Sequence, residues 1–240
     1  MLVKRLVPPA LRQRLKHRLR RGGHDVVPFP RLQLLAHHGV DLVLDVGASE
    51  GLYGEEMRRL GYGGRIVSFE PRRAAYARLA ERAATDPAWE AVPLALGREA
   101  GRSVLHISAG ADSSSLLDML PRHHETCPGT EYVGEEAIEV RPLDDLFETY
   151  AGPGDVPFLK MDVQGYEVHV LEGAARTLGR LVGLQVELSL VPLYAGETLL
   201  PDMVRRLESH GFTLMGLEPG LRDLASGQLL QADGLFFRQR

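Results

Sequence analysis

The sequence predicts a doubly wound α/β domain, in which parallel strands alternate with helices that cover both faces of one sheet. Three observations predict this fold. A buried apolar strand over residues 42–46 runs into a glycine-rich turn, a second short strand ends in Glu70, and strand and helix patterns alternate over the rest of the chain. At 240 residues the chain is long enough for one well-buried domain, and a large second domain is not expected.

Each predicted element follows from a local pattern of apolar residues. Apolar runs that end at Gly, Pro or an acidic residue predict strands, and apolar residues at helical spacing between them predict helices. The strands are expected at 42–46, 65–70, 89–96, 103–107, 138–140, 158–162, 182–188, 213–217 and 229–237, and the helices at 30–38, 51–60, 72–84, 143–150, 165–178 and 201–210. A long polar region at 108–136 interrupts the alternation, and loops of this length in compact domains are commonly lids or binding loops.

The first 23 residues differ from the rest of the chain in charge. They carry eight Lys or Arg and no acidic residue, and Leu11, Leu15 and Leu19 recur every four positions after two prolines. The pattern predicts a basic, helical N-terminal segment over 1–28, followed by a main domain over 29–240. Two roles stay open for this segment: a helix that covers the main domain, or a peripheral contact with an anionic membrane.

Composition disfavours several kinds of partner and location. The chain after the basic segment is acidic, which disfavours a nucleic-acid partner. No apolar run approaches the roughly 20 residues that span a bilayer, so no transmembrane segment is expected, and no secretory signal is recognisable. The single cysteine, Cys127, allows no internal disulfide and fits a reducing compartment. These features predict a cytoplasmic protein.

The glycine-rich turn predicts a nucleoside-binding site. Asp45 ends the first strand, and Gly47, Gly51 and Gly54 follow at a spacing that lets the backbone turn tightly and approach a ligand. Glu70, at the end of the second strand, is placed to accept both hydroxyl protons of a ribose. A dinucleotide site would instead show G-x-G-x-x-G, and an acidic turn would repel pyrophosphate. The turn therefore favours S-adenosyl-L-methionine (SAM), which carries an ammonium and a sulfonium group, over NAD.

Two further carboxylates are predicted at the same edge of the sheet. Asp162 follows an apolar strand, and Glu187 lies at the end of the next one. Carboxyl ends of parallel strands meet where ligands bind in open α/β sheets, and buried carboxylates need a compensating cation, hydrogen bonds or solvent. Asp162 and Glu187 are therefore candidate catalytic residues. They are also the candidate ligands of a divalent cation, for which Mg²⁺ would be the natural choice.

Six blocks of the sequence carry a family resemblance, which runs from about Val40 to Arg238. They read DVGASEGLYG, SFEP, ADSSSLL, LKMDVQGYEVHVLEGA, LQVELSLVPLY and GQLLQADGLFFR. In this order they resemble the FkbM-type SAM-dependent methyltransferases. The resemblance implies a class I methyltransferase (Rossmann-like) fold, with a mostly parallel seven-stranded sheet and an antiparallel last strand. It also implies O-methylation of a hydroxyl on a sugar, glycoside or polyketide-type natural product.

The resemblance also assigns site residues. The family's glycine turn falls on Gly47, Ala48, Ser49 and Gly51, its ribose carboxylate on Glu70, and its serine-rich stretch includes Ser114. The other expected cofactor-binding residues are Asp45, Pro71 and Asp162. The family more often has Asn at the position of Ser49, and both side chains can form hydrogen bonds. The family's central Asp and later Glu fall on Asp162 and Glu187, and Tyr194 is expected on a rim loop beside the acceptor.

The chemistry of methyl transfer suggests roles for the two catalytic candidates. The protein must align the acceptor oxygen with the methyl group and help to remove the hydroxyl proton. Asp162 is the first candidate base, and Glu187 would polarise the acceptor or share a divalent cation. The other possibility is that Asp162 binds the methionine end of the cofactor and that hydrogen bonds alone orient the acceptor. Two alternatives stay open, a catalytically silent SAM-binding partner of a biosynthetic complex and an NAD-dependent oxidoreductase or epimerase. The sequence identifies neither the acceptor nor the oligomeric state.

Overall fold

The computed structural model describes residues 30–110 and 113–239. The predicted basic segment at 1–28 lies outside these residues. The helices are α1 (Pro30–His38), α2 (Leu52–Leu60), α3 (Arg73–Ala83), α4 (Pro121–Thr126), α5 (Leu143–Tyr150), α6 (Glu167–Glu172) and α7 (Leu200–Ser209). The strands are β1 (Leu42–Val46), β2 (Arg65–Phe69), β3 (Trp89–Val92), β4 (Ala95–Leu96), β5 (Gly101–Ser108), β6 (Tyr132–Arg141), β7 (Pro157–Met161), β8 (Gly183–Ser189), β9 (Phe212–Pro219) and β10 (Gln231–Arg238).

Seven strands form the central sheet, in the order β3-β2-β1-β7-β8-β10-β9. Neighbouring strands from β3 to β8 pair in parallel, and β10 runs antiparallel to both β8 and β9. This arrangement confirms the predicted seven-stranded class I methyltransferase sheet with an antiparallel last strand. The strand order reverses between β1 and β7, which is where ligands bind in sheets of this kind.

The core lies on both faces of this sheet because its central strands are buried on both sides. One face packs against α5, α6 and α7 through residues such as Phe147, Leu171 and Leu207. The other packs against α1, α2 and α3, through Leu35, Met57 and Leu79. Helices therefore cover both faces, as the doubly wound prediction requires, and they fix the carboxyl ends of β1, β2, β7 and β8 at one edge.

A second, three-stranded sheet was not predicted. Its order is β4-β6-β5, and β5 and β6 form an antiparallel pair. The stretch without helix or strand is therefore shorter than the predicted loop at 108–136, because α4 lies within that range and β6 begins at Tyr132. Tyr132–Glu136 has mostly exposed or half-buried side chains and lacks the apolar alternation that identifies a half-buried strand.

The helix predicted at 165–178 is shorter in the structure. After α6 the chain turns and forms a 3₁₀ helix at Thr177–Gly179. The carboxylate of Asp144 accepts hydrogen bonds from the backbone N–H groups of Arg176 at 2.9 Å and Thr177 at 2.7 Å. A side chain that captures backbone donors in this way competes with continued α-helix.

Among the described residues, no helix has both the length and the apolar character needed to cross a bilayer.

Candidate active site

The glycine turn after β1 is shaped by contacts within the protein. The backbone N–H groups of Gly47 and Ala48 both donate to the carbonyl oxygen of Phe69, at 3.1 Å each. Gly47 has a φ of +74°, and a β-carbon at this position would overlap the backbone oxygen of Asp162. Glycine is therefore required here by the close approach of β7, and not only by the path of a ligand.

The next two glycines of the turn make room for an indole ring. A β-carbon on Gly51 or Gly54 would crowd the side chain of Trp89, and one on Gly51 would also crowd Leu79. These glycines let α2 pack closely against β3. Gly51, which was predicted to bind the cofactor, does not lie in the wall of the cavity described below.

A buried ion pair supports the turn from below. Asp45 is completely buried, and its Oδ1 lies 3.1 Å from Nζ of Lys160 on β7. The same ammonium group donates to the carbonyl oxygen of Gly47 at 3.3 Å and lies 3.7 Å from Oδ2 of Asp162. Burial lowers the pKa of Lys160, but the carboxylates of Asp45 and Asp162 outweigh burial and raise it. Lys160 therefore stays charged, and Asp45 lies beneath the cavity and not in its wall.

Asp45 is also linked to the indole that packs on α2. Ser68 Oγ donates to Asp45 Oδ2 at 2.9 Å, and Trp89 Nε1 donates to Ser68 Oγ at 3.0 Å. Because Ser68 and Asp45 are paired residues of β2 and β1, this chain of hydrogen bonds crosses the sheet directly under the glycine turn.

Glu70 follows β2 and is fixed by two backbone donors. Its Oε2 accepts from the N–H of Ser49 at 2.8 Å, and its Oε1 accepts from the N–H of Arg72 at 2.9 Å. Burial raises the pKa of Glu70, and the two hydrogen bonds act against that rise. Each carboxylate oxygen keeps a second lone pair, so the group can accept two further hydrogen bonds from a ligand.

A cavity of about 420 Å³ opens beyond these strand ends. The central sheet supplies its floor, while the three-stranded sheet and the segment between β5 and β6 supply much of the opposite wall. Eight of the ten predicted site residues lie in its wall, namely Gly47, Ala48, Ser49, Glu70, Pro71, Ser114, Asp162 and Glu187. The two others are Asp45 and Gly51.

An amide group joins the two predicted catalytic carboxylates. Nε2 of Gln164 donates to Asp162 Oδ1 at 2.9 Å and to Glu187 Oε2 at 2.8 Å. Gln231 Nε2 also donates to Glu187 Oε2, at 2.9 Å. The backbone of Gln164 has a φ of +55°, which is uncommon for a residue other than glycine and often marks a functional site.

Burial and neighbouring acids change the acid–base behaviour of this cluster. Burial, followed by the charges of Asp162 and Glu167, raises the pKa of Glu187 well above its ordinary range. Burial likewise raises the pKa of Glu167 to about 8. Glu187 therefore takes up a proton more readily than an exposed glutamate does, and in the protonated form it can donate one hydrogen bond as well as accept others.

Lys160 and Gln164 were not predicted to be site residues, and Tyr194 lies in a different environment from the one expected. A lysine inside the apolar strand FLKM is a signal that could have revealed Lys160, since a buried lysine requires an acidic partner. The sequence gives no comparable signal for Gln164. Tyr194 was expected at an exposed rim, but it is only 1% exposed and its hydroxyl contacts Gln164 behind the cavity wall.

The residues around Asp162 and Glu187 do not fit a divalent cation. The described ranges, 30–110 and 113–239, contain no group of three or more His, Cys, Asp or Glu residues suited to hold a metal ion. Both carboxylates already accept from the same Gln164 nitrogen, and the ammonium of Lys160 adds positive charge close to Asp162. Like charges repel, so a metal ion here would be disfavoured.

The chain is similar to a known family and to known methyltransferases. The model of the methyltransferase FkbM domain matches residues 45–214. Among curated proteins, 2-O-methyltransferase NoeI of Sinorhizobium fredii (strain NBRC 101917 / NGR234) is 27% identical over 174 residues, covering 70% of this chain and 71% of NoeI.

Two solved structures are also similar. Magnesium protoporphyrin IX methyltransferase (ChlM) from Synechocystis PCC 6803, with bound SAH, has a TM-score of 0.48 at 9% identity, over 86% of this chain and 80% of that chain. Burkholderia thailandensis 1,6-didemethyltoxoflavin-N1-methyltransferase has a TM-score of 0.46 at 15% identity, over 87% and 76% of the two chains.

The family match covers more than half of the chain and includes the glycine turn, Glu70 and both catalytic candidates. The match begins near the end of β1 and ends within β9. The chain therefore belongs to the FkbM methyltransferase family.

Proposed function

We propose that this protein is a SAM-dependent O-methyltransferase that transfers a methyl group to a hydroxyl of a small-molecule acceptor, such as a sugar, a glycoside or a polyketide-type natural product. One observation carries the proposal. A single cavity at the strand-order reversal has Glu70 in one part of its wall and Asp162 with Glu187 in another. A nucleoside-recognition group and a proton-accepting group thus face the same enclosed space.

The cavity wall fits SAM in its polar and apolar parts. The free lone pairs of the fixed Glu70 carboxylate would accept hydrogen bonds from the two ribose hydroxyls. Leu94, Leu96 and Ile138 supply an apolar surface of the kind that an adenine ring requires. Asp162 would attract the ammonium of the methionine end or accept the acceptor's proton, and these two roles are separable by experiment. When bound, the cofactor supplies a methyl group activated by sulfonium.

The chain's own residues would orient the acceptor and remove its proton. The side chain of Asp162 is 38% exposed and lines the cavity, so its Oδ2, which lies 3.7 Å from the ammonium of Lys160, would also be accessible to an acceptor hydroxyl. The ammonium of Lys160 lies 3.7 Å from Oδ2 of Asp162 and Gln164 donates to Oδ1, so both neighbours hold the carboxylate in place. Glu187, in its protonated form, would hold a second oxygen of the acceptor.

The family relationship supports methyl transfer, and the name of NoeI supports transfer to oxygen. NoeI carries the description of a 2-O-methyltransferase, and its similarity extends over 70% of this chain. The acceptor of this chain is expected to be small because the cavity has the volume of a small-molecule site.

Calorimetric titration with SAM, S-adenosylhomocysteine and NAD tests the cofactor. We expect micromolar binding of the first two, no binding of NAD, and no change in affinity when Mg²⁺ is replaced by EDTA. Binding of NAD alone would overturn the proposal. A requirement for Mg²⁺ would contradict the amide-bridged arrangement of Asp162 and Glu187.

Transfer of a labelled methyl group from SAM to a panel of methyl glycosides tests the reaction. We expect Asp162→Asn to lower turnover by at least about 100-fold, the lower end of general-base effects, while SAM affinity changes little. Asp202→Asn, at an exposed position on α7, is the matched control. A loss of SAM affinity without a separate loss of turnover would reassign Asp162 to the cofactor.

A further inference from the structure

Gln164 occupies a central position among the polar groups of the site. Its Nε2 donates to one oxygen of Asp162 and one of Glu187, so both amide hydrogens are engaged. Its backbone lies in the left-handed region, which is unfavourable for a residue with a side chain. The chain around it must therefore hold it in place, and Ser115 contributes by donating from Oγ to its carbonyl oxygen at 2.7 Å.

The hydroxyl of Tyr194 binds the oxygen end of the amide, while the nitrogen end binds the carboxylates. Tyr194 is buried, and its hydroxyl donates to Oε1 of Gln164 at 2.7 Å. Burial and the nearby acid Glu187 raise the pKa of Tyr194, so this hydroxyl keeps its proton. The two ends of an amide are nearly equal in size, and only hydrogen-bond partners distinguish them. The Tyr194 donor thus acts together with the two acceptors at Nε2 to hold the amide in the observed orientation, and loss of the donor would loosen it.

We propose that Gln164 and Tyr194 are a positioning pair, in which Tyr194 acts only through Gln164 to hold Asp162 and Glu187 in a fixed relation. The amide N–H groups attract both carboxylates to one nitrogen, and this keeps their other oxygens directed at the cavity. The effect of this pair on catalysis rests on the proposed function. The structural part of the proposal, a Gln164 amide oriented by Tyr194, does not depend on the reaction.

The pair also connects the carboxylates to the segment between β5 and β6. Nε2 of His123, on α4, lies 3.3 Å from the Tyr194 hydroxyl, and Ser115 of the same segment bonds the Gln164 backbone. This segment forms part of the cavity wall opposite the sheet. The position of the wall and the orientation of the catalytic carboxylates are thereby linked through two side chains.

NMR of the ¹⁵N-labelled full-length protein tests the structural part. We expect one glutamine NH₂ pair, identified by its loss in Gln164→Leu, to exchange slowly with water because both hydrogens are bonded. Tyr194→Phe, which removes one oxygen atom, should accelerate this exchange at least about tenfold. The control is Tyr132→Phe, which removes the hydroxyl that donates to the carbonyl oxygen of Leu117 at 2.7 Å and should leave the pair unchanged. A fast-exchanging pair in the wild type, or no effect of Tyr194→Phe, would overturn the proposal.

Turnover with the methyl glycoside panel tests the catalytic part. We expect Tyr194→Phe to lower kcat about tenfold without changing the affinity for S-adenosylhomocysteine. In a Gln164→Leu background the same substitution should have no further effect, since Tyr194 then has nothing to position. Additive losses would contradict the pair. If the wild-type protein transfers no methyl group at all, the proposed function fails while the exchange experiment still decides the positioning pair.

Discussion

The backbone oxygen of Asp162 occupies the position that a β-carbon on Gly47 would need. The turn that follows β1 and the residue that follows β7 are thus in direct backbone contact at the point where the strand order reverses. This contact places the glycine turn against the candidate base. A substitution at Gly47 therefore affects the fold as well as any ligand in the cavity.

We expect Gly47→Ala to lower the free energy of unfolding by about 2 to 5 kcal/mol, because the new β-carbon would overlap the backbone oxygen of Asp162 and because alanine disfavours the left-handed φ. Gly39→Ala is a matched control, because Gly39 has a similar φ of +72° but a β-carbon there would meet no atom within 4 Å beyond its chain neighbours. It should lose only about 1 to 2 kcal/mol. Urea unfolding measures the loss of stability in both variants. Equal losses would show that the contact with Asp162 adds nothing to the cost of the left-handed φ.

Glu70→Gln should weaken SAM binding by roughly 10- to 100-fold, which corresponds to the loss of a charged hydrogen bond of about 1.5–3 kcal/mol. The replacement puts an amide NH₂ against one of the two backbone donors that now hold the carboxylate. Calorimetry with SAM measures the effect. Glu90→Gln, at an exposed position on β3, is the control, and an unchanged affinity in Glu70→Gln would move the ribose site elsewhere.

Lys160→Met should destabilise the protein by about 3 to 5 kcal/mol, because it leaves the buried charge of Asp45 without its partner. The double variant Asp45→Asn/Lys160→Met should recover part of this loss, since no unpaired charge remains. Urea unfolding at neutral pH compares the three proteins. If the double variant is no more stable than the single one, the ion pair with Asp45 is not the reason that Lys160 is needed.

The wild-type protein should lose stability as the pH rises from about 4.5 to about 8, in part through Glu167. Burial raises the pKa of Glu167 to about 8 from an ordinary value of 4.5. Between these values the folded state binds more protons than the unfolded state, so unfolding becomes easier as the pH rises, by at most about 1.4 kcal/mol per pH unit for one group.

Glu167→Gln should flatten this dependence, because the amide cannot ionise but can still accept the hydrogen bond that Val163 N–H now donates at 3.0 Å. Unfolding midpoints at pH 5 and pH 8 in the two proteins measure the difference. Glu148→Gln, where the side chain is 74% exposed, should keep the wild-type slope. The same slope in Glu167→Gln and the wild type would assign the pH dependence to other groups.

The sequence predicted the central sheet well because its strands are short apolar runs that end in acidic residues or glycines. It also brought Glu70, Asp162 and Glu187 to one edge, since parallel strands place their carboxyl ends together. The three-stranded sheet was not predicted because the first half of β6 is mostly polar and exposed. Its pairing with β5 depends on contacts that no local pattern expresses.

Residue roles within the site were less predictable than residue positions. Asp45 and Gly51 are predicted to lie beside the cofactor; in the structure Asp45 pairs with Lys160, Gly51 makes room for an indole ring, and neither lines the cavity. Asp45 and Gly51 are close together in the sequence, but their partners are distant: Lys160 lies on β7 and Trp89 on β3. The orientation of Gln164 depends on Tyr194, which is 30 residues away in the chain.

The indole of Trp89 lies against the glycine turn and is joined to Asp45 through Ser68. It is the only tryptophan in the chain. Its fluorescence therefore reports on a single place, directly under the proposed cofactor site. A change in emission wavelength on adding SAM would follow occupancy of the cavity in real time, without a label or a known acceptor.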